Sequence, residues 1–238
     1  MGYDVFTDNL NSINSKNKII INTINQYSYC MAEKDIQFKN VLKSSDVLLP
    51  DGIGIVFASK WLKGKAIKKI AGADVHKHLL IYLNEKKGSC FYMGASNSTL
   101  KKITERLSVE YPNIKVGTYS PPYKPEFDDK ENNDIINAVN IFQPDVLFVG
   151  MTAPKQEKWS FSHKDALNVN GPICSIGAVF DFYAGTVKRP STIWQNLGLE
   201  WMGRLLKEPK RMWKRYIYYG AIFGGYLLRA KVRPPMVS

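Results

Sequence analysis

Apolar positions along the chain fall into two kinds of run that alternate. Short continuous runs rich in β-branched and aromatic residues read as strands buried on both faces. Longer runs with apolar residues three and four apart read as helices. Lys18–Thr23, Asp46–Leu49, Ser89–Gly94, Ile114–Tyr119, Asp145–Gly150 and Pro172–Gly177 are of the first kind. Tyr27–Leu42, Ile55–Leu62, Val75–Leu83, a run ending near Tyr111, and Asp129–Phe142 are of the second. Their order predicts an α/β fold, a Rossmann-like and mostly parallel sheet with helices on both faces. Asp74 is placed to cap the helix expected from Val75, and Asp128-Asp129 reads as another cap. Pro154 marks a further helix start. Residues 1–17 are polar and Asn-rich, with room for one short helix, and no internal repeat is present.

The strand ends carry the polar turns. Thr23 and Asn25 follow the first strand, and Pro50-Asp51-Gly52-Ile53-Gly54 follows the second. Gly94, Ala95 and Asn97 follow the third, while Thr152, Lys155 and Gln156 lie beyond Gly150. Gly177 to Asp181 closes the series. In an open parallel sheet such turns share one edge, where ligands bind. Asp51 would stand at a helix N-terminus, beside two glycines that let a phosphate come close to the backbone. An ordinary strand-to-helix turn explains those five residues equally well when they are taken alone.

From Thr192 onward the pattern changes. The tail is rich in Trp, Tyr, Leu, Lys and Arg, and Pro209 divides it into at least two helices. The division predicted is an α/β core over residues 1–195 and a helical appendage over 196–238. The net charge of +12 is concentrated here. Arg204, Lys207, Lys210, Arg211, Lys214, Arg215, Arg229, Lys231 and Arg233 stand against Glu208 alone beyond Trp201. Lys207, Arg211, Lys214 and Arg215 fit one helical face. Tyr216 to Leu228 is aromatic and almost uncharged, too short to cross a bilayer, and suited to lie in its interface. A helix packed on the domain with a solvated basic face is the other reading. Either way the tail asks for an anionic partner: a membrane surface, nucleic acid or a diphosphate.

Several chemistries lack their motifs. There is no P-loop, no Gly-x-Gly-x-x-Gly after a strand and no Gly-x-Ser-x-Gly. No Asp-x-Asp occurs, and His76, His78 and His163 have no metal-ligand spacing, so they read as structural or surface residues. The three cysteines, Cys30, Cys90 and Cys174, lie apart in apolar runs and are expected to be buried thiols. No cofactor and no metal are expected. With neither a basic-then-apolar leader nor a spanning run, the expected place is the cytoplasm, and the basic aromatic tail suits attachment to a membrane surface there.

Taken together, Thr23-x-Asn25, Pro50 to Gly54, Gly150 to Trp159, Gly177 to Arg189, and Gly198 to Pro209 resemble the WecG/TagA/CpsF glycosyltransferases, glycosyltransferase family 26. The resemblance implies a metal-independent, inverting transfer of a sugar from a UDP-sugar donor to a polyprenyl-diphosphate-linked saccharide. Teichoic acid, capsule and exopolysaccharide are the products of such enzymes, and the C-terminal segment holds them to the membrane. It makes Asp51 the general base and Thr23 its active-site partner. Substrate contacts would come from Asn25, Gly52, Gly54, Gly94, Ala95, Asn97, Thr152, Lys155 and Gln156. Arg204 and Arg211 would face the diphosphates, with Lys214 or Arg215 in support. Two positions depart from the family pattern: Asn97 or Ser98 where a second glycine is common, and Lys69 where an arginine is common. Lys lacks the bidentate fork of Arg, so the donor sugar is the property these changes touch. N-acetylmannosamine, its uronic acid, glucose, galactose and glucuronate stay open, as does a homo-oligomer. The rival readings are a nucleic-acid-binding protein using its basic tail and a non-catalytic membrane scaffold of the same fold. The uncharged aromatic stretch speaks against nucleic acid.

Overall fold

The computed structural model describes residues 1–13, 15–187, 202, 205 and 209–232. Six strands form one sheet: β1 (Ile20–Ile24), β2 (Val47–Pro50), β3 (Ser89–Gly94), β4 (Lys115–Tyr119), β5 (Val146–Gly150) and β6 (Ile173–Ser175). Their spatial order is β2-β1-β6-β5-β3-β4 and every pairing is parallel. The α/β reading therefore holds, and the sheet is parallel throughout rather than mostly so. The side chains of β1, β2, β3, β5 and β6 alternate between two covered faces, which is why these strands read as largely apolar runs, while the edge strand β4 leaves Lys115 and Thr118 exposed.

On one face Ile21, Cys90, Tyr92, Val146, Phe148 and Cys174 pack under α4 (Gly72–Lys86), α5 (Asn97–Glu110) and α8 (Val179–Tyr183). On the other, Ile20, Phe91, Met93, Leu147, Val149 and Ile173 pack under α6 (Asp129–Phe142) and α7 (Lys155–His163). Ile24 and Leu48 belong to a third cluster with α1 (Gln26–Ala32), α2 (Ile36–Lys43) and α3 (Ile53–Lys63). The N-terminal segment runs along β2, with the Phe6 N–H donating to Leu48 O at 2.9 Å. It includes a short 3-10 helix, Leu10–Ser12.

The chain leaves β3 for β4 on one side and leaves β5 for β6 on the other. Since β3 and β5 are neighbours, the crevice of the sheet opens between their C-terminal ends. The expected helix Tyr27–Leu42 is two helices. Asp35 caps the second, its Oδ1 accepting the Phe38 N–H at 3.0 Å, while its Oδ2 holds Lys158 of α7 at 2.6 Å. Glu33, Lys34 and Asp35 interrupt the apolar spacing at the break. α4 starts earlier than expected, at Gly72. Asp74 sits inside its first turn, and its Oδ2 accepts the Ala71 N–H at 2.8 Å. Asp128 caps α6 in a reciprocal pair with Glu131, as expected.

The tail holds α9 (Pro209–Trp213), a π-helical turn (Lys214–Tyr218) and α10 (Tyr219–Val232). Tyr219, Phe223 and Leu227 bury one face of α10 against Tyr29, Cys30, Ile55 and Ala58 of α1 and α3. One face of the stretch expected to lie in a bilayer interface thus completes the third core. The boundary expected at 195/196 lies outside the described residues, as do Arg204 and Lys207.

Candidate active site

The first turn of the site is built by two neighbouring strand ends. Ile24 stands opposite Pro50, and the Asp51 N–H donates to Ile24 O at 2.9 Å. The chain can reverse there because Gly52 takes φ +117°, a conformation that a side chain disfavours. A Cβ at Gly52 or Gly54 would also crowd the Gln26 Oε1, at 3.3 and 3.2 Å. Gln26 therefore fills the floor of the Asp51 turn. The Ile70 N–H donates to Pro50 O at 3.0 Å and ties the start of α4 to the same turn. Thr23 pairs in register with Leu49, two residues before Asp51, so both lie toward the same side of the sheet. Both are half-buried.

Asn25 has a structural task. Its Oδ1 accepts the N–H groups of Tyr27 and Ser28, each at 3.0 Å, and the Ser28 Oγ accepts the Asn25 N–H at 2.8 Å. This reciprocal cap fixes the angle at which α1 leaves β1.

The second group of turns lines the crevice between β3 and β5. Gly94 has φ +114°, and a Cβ on it would collide with Gly150 O. Ala95 continues at φ 60° and its N–H donates to Gly150 O at 3.2 Å. Ser120, at the end of β4, donates its Oγ–H to Ala95 O at 2.8 Å. After β5, Gln156 is buried and its Oε1 accepts the Met151 N–H at 3.2 Å. Its Nε2 donates to Glu157 Oε1 at 2.8 Å. A Cβ on Gly177, at φ +37°, would meet Met151 O at 2.9 Å and the Gln156 Oε1 at 3.0 Å. Gln156 is thus the pin between the β5 and β6 turns. Thr152 and Asn97 are exposed beside this crevice. Lys155 is directed elsewhere: its ammonium donates to Lys124 O at 2.6 Å and lies 3.2 Å from the Phe127 ring centroid.

The tail approaches the first turn. Arg215 lies over the ring of Tyr27, 4.6 Å from its centroid, and Tyr27 is the second residue of α1 beyond Asn25. Tyr219 meets the same ring edge-on at 4.9 Å. Lys214 is exposed on the π-helical turn. Of the expected anion-facing cations, Arg204 lies outside the described residues, and Arg211 lies on α9. Arg215 has a defined place, over the Tyr27 ring in the first turn of α1. Gln26, Ser120 and Glu157 are further residues of this edge that were not among the expected site residues, although Gln26 ends the first polar turn and Glu157 lies within the Gly150–Trp159 motif. The contacts through which each acts are tertiary, and local sequence does not give them.

Two groups beneath the site are electrically unusual. Burial pushes the Glu157 carboxyl up to about 7, against the opposing hydrogen bonds from Gln156 and its own N–H. Burial, helped by Arg106, pulls His76 down to about 3, and His76 Nε2 shares a 2.6 Å hydrogen bond with the Tyr92 hydroxyl. His76 is a neutral core residue, and the cysteines are buried thiols. Among the described residues no three His, Cys, Asp or Glu side chains gather as metal ligands do. Surface depressions of about 580 Å³ near Ser15 and His78 and about 340 Å³ near Lys18 and Asn170 sit toward the N-terminal ends of the strands. They are not part of this edge.

The family model described as Glycosyl transferase WecG/TagA/CpsF matches residues 3–236. A relative from Bacillus subtilis (strain 168) is 35% identical over 86% of this chain and 77% of its own length. One from Bacillus spizizenii is 32% identical over 78% and 70%, and one from Staphylococcus aureus (strain MW2) is 27% identical over 83% and 76%. All three carry the name N-acetylglucosaminyldiphosphoundecaprenol N-acetyl-beta-D-mannosaminyltransferase.

Proposed function

The chain belongs to the WecG/TagA/CpsF glycosyl transferase family, and from that premise we propose that it is a hexosyltransferase acting on a polyprenyl-diphosphate-linked saccharide. The donor is a UDP-sugar, with UDP-N-acetylmannosamine first among the candidates because the relatives are named for that sugar. The observation that carries the reading is the Asp51 turn. A half-buried carboxylate stands just past the C-terminal end of β2 in an all-parallel sheet, on a turn fixed by the Asp51 N–H to Ile24 O bond and by Gly52.

In the reaction proposed, an acceptor hydroxyl attacks the anomeric carbon as the bond to UDP breaks, inverting that centre. Asp51 takes the hydroxyl proton. Thr23, on the same side of the sheet, orients the attacking group. The departing diphosphate gains negative charge, which backbone N–H groups of the strand-end turns and cations of the tail offset. Gly52, Gly54, Gly94, Ala95, Asn97, Thr152 and Gln156 form the bed for the donor. Arg204, Arg211 and Lys214 remain assigned to the diphosphates, as does Arg215, whose position over Tyr27 supports that role.

The lipid-linked acceptor requires the enzyme to meet a membrane. α3 starts directly after the Asp51 turn and presents Ile53 and Phe57, about half exposed and one helical turn apart. Trp213, Ile217 and Tyr218 of the tail are similarly exposed. No helix of the described residues is long and apolar enough to cross a membrane. Peripheral attachment, with the apolar side chains at the interface and the lysines on anionic headgroups, fits these features.

The test is UDP release and product formation from a panel of UDP-sugars with a short polyprenyl-diphosphate N-acetylglucosamine acceptor. Wild-type turnover with at least one donor is expected. Asp51→Asn should lower it by about 10²–10⁴-fold with folding unchanged. Near-normal turnover in a folded Asp51→Asn protein would remove Asp51 as the base, and no transfer from any UDP-sugar would remove the donor class.

A further inference from the structure

Among the described residues two buried side-chain oxygens have no hydrogen-bond partner, Asn22 Oδ1 and Glu157 Oε2. Each is costly to bury alone. Their places in the fold point to one explanation for both. Asn22 sits in β1 between Ile20 and Ile24, on the face covered by α1, α2 and α7. The register Ile20 to Ile173 and Ile21 to Cys174 puts it beside Ser175 of β6. Ser175 lies directly beneath α7, its Oγ 3.3 Å from the Ser160 Oγ. Asn22 Nδ2 donates to Ser45 Oγ at 2.9 Å, so its oxygen is the open end of the amide.

Successive α-helical residues turn by about 100°. On α7, Ser160 faces the sheet, Lys158 faces α2 through its pair with Asp35, and Trp159 faces α6 through Asn132. Glu157 points between the Ser160 and Lys158 directions. That is the seam of α7 with β1 and α2, where Asn22 lies. An amide oxygen only accepts and an ionised carboxylate only accepts, but a protonated carboxyl donates.

We propose that Glu157 is a positioning residue held as a neutral carboxyl, whose O–H is donated to Asn22 Oδ1 across this seam, directly or through one enclosed water. The node rests on the transferase reading in one respect: it gives Gln156 a fixed partner. Gln156 Nε2 needs an acceptor at Glu157 Oε1 in order to present its own oxygen to Met151 N–H beside Gly177. The node therefore holds β1, which ends at Thr23, and the β5–α7 turn in one geometry. Ionisation replaces its donor with a second acceptor and loosens both. The charged groups around it are engaged elsewhere: Lys158 with Asp35, Lys39 of α2 with Glu33, and Lys155 with Lys124 O. The two strands offer Asn22 and Ser175, neither charged. Burial is the leading cause of the raised carboxyl.

The first measurement needs no activity. The full chain labelled at the glutamate δ-carbon is titrated by carbon NMR, alone and as Glu157→Gln and Asn22→Ala. One carboxyl should titrate near neutral pH in the wild type and vanish in Glu157→Gln. In Asn22→Ala it should titrate at least half a pH unit lower, because the neutral form loses its acceptor. Titration of every glutamate below pH 5.5, or an unmoved titration in Asn22→Ala, overturns the node. Should Asn22→Ala not fold, Glu157→Gln decides, since its amide N–H can replace the carboxyl O–H. The turnover of wild type should fall about tenfold per pH unit above that titration, while Glu157→Gln keeps the acid-side rate within about threefold and loses this fall. A Glu157→Gln enzyme that falls as the wild type does overturns the positioning role. A correct titration in a protein that transfers no sugar leaves the node standing and refutes the transferase reading alone.

Discussion

Gly94 shows how much of the site is decided by single atoms. Its φ of +114°, and the collision that any Cβ there would make with Gly150 O, forbid a side chain. Gly94→Ala should cost on the order of 3 kcal/mol or more, because backbone cannot move aside as a flexible side chain can. Denaturant unfolding measures it, and a loss under about 1 kcal/mol would mean that the β3 and β5 ends separate easily. Glu157 and His76 make an opposite pair in pH. His76, pulled down to about 3 from 6.5, adds stability that is present above 6.5 and is lost as pH falls toward 3. Glu157 is raised from 4.5 to about 7, so the folded state holds the extra proton between those values. Its contribution is therefore largest below 4.5 and declines as pH rises to 7, by on the order of 3 kcal/mol. The melting temperature of wild type minus that of Glu157→Gln should fall across pH 4.5–7 and stay flat above. A flat difference throughout would mean Glu157 is ionised in the fold. At this scale Gly52 and Gly54 single out the turn at Asp51 in the sequence, and the structural reading of His76 agrees with its buried place. Glu157 was hidden, because a carboxylate in a helical run reads as solvated until a sheet is laid beneath it.

At the scale of elements, strands were the most legible, because a strand covered on both faces must be apolar along its length. Helices were legible in position and less so in continuity. The run Tyr27–Leu42 reads as one amphipathic helix, yet Asp35 both caps α2 and holds Lys158. Asp35→Ala removes the cap and the ion pair together and should cost on the order of 1–2 kcal/mol by chemical denaturation. A loss no larger than a few tenths would mean that α2 keeps its start without Asp35. The tail shows the other limit of local reading. Its uncharged aromatic residues fit a bilayer interface and a core equally well, and only the partner surface assigns each face. Phe223 is 4% exposed and meets Tyr29 edge-on at 5.3 Å. Phe223→Ala should therefore cost about 3–5 kcal/mol, as loss of a buried aromatic does. A cost near zero would mean that α10 rests on α1 and α3 without being part of the fold.

At the scale of the molecule, the sheet order and the tail act on the same place. The parallel sheet gathers every strand-end turn on one edge, and α1 and α3 both begin there. α10 packs on α1 and α3, so the tail is anchored beside the Asp51 turn by Tyr219, Phe223 and Leu227. The same arrangement leaves Ile53 and Phe57 of α3 exposed together with Trp213, Ile217 and Tyr218. Lys60, Lys63, Lys210 and Lys214 are exposed on these same elements. A surface with apolar side chains and surrounding cations binds anionic lipid through both contributions, and only the second is screened by salt. Vesicles with anionic headgroups should therefore retain the protein more strongly than neutral ones, with partial release at high salt. Phe57→Asp and Trp213→Asp should each weaken retention about tenfold or more without lowering the melting temperature, since both side chains are more than half exposed. Turnover on a long-chain lipid acceptor should fall with retention, while turnover on a short, water-soluble acceptor stays near wild type. If the variants bind vesicles as wild type does, the membrane faces some other surface. If both acceptors lose turnover equally, these residues serve the cleft itself. The first outcome would place lipid contact away from α3, and the acceptor diphosphate would then have to reach Asp51 across the protein surface.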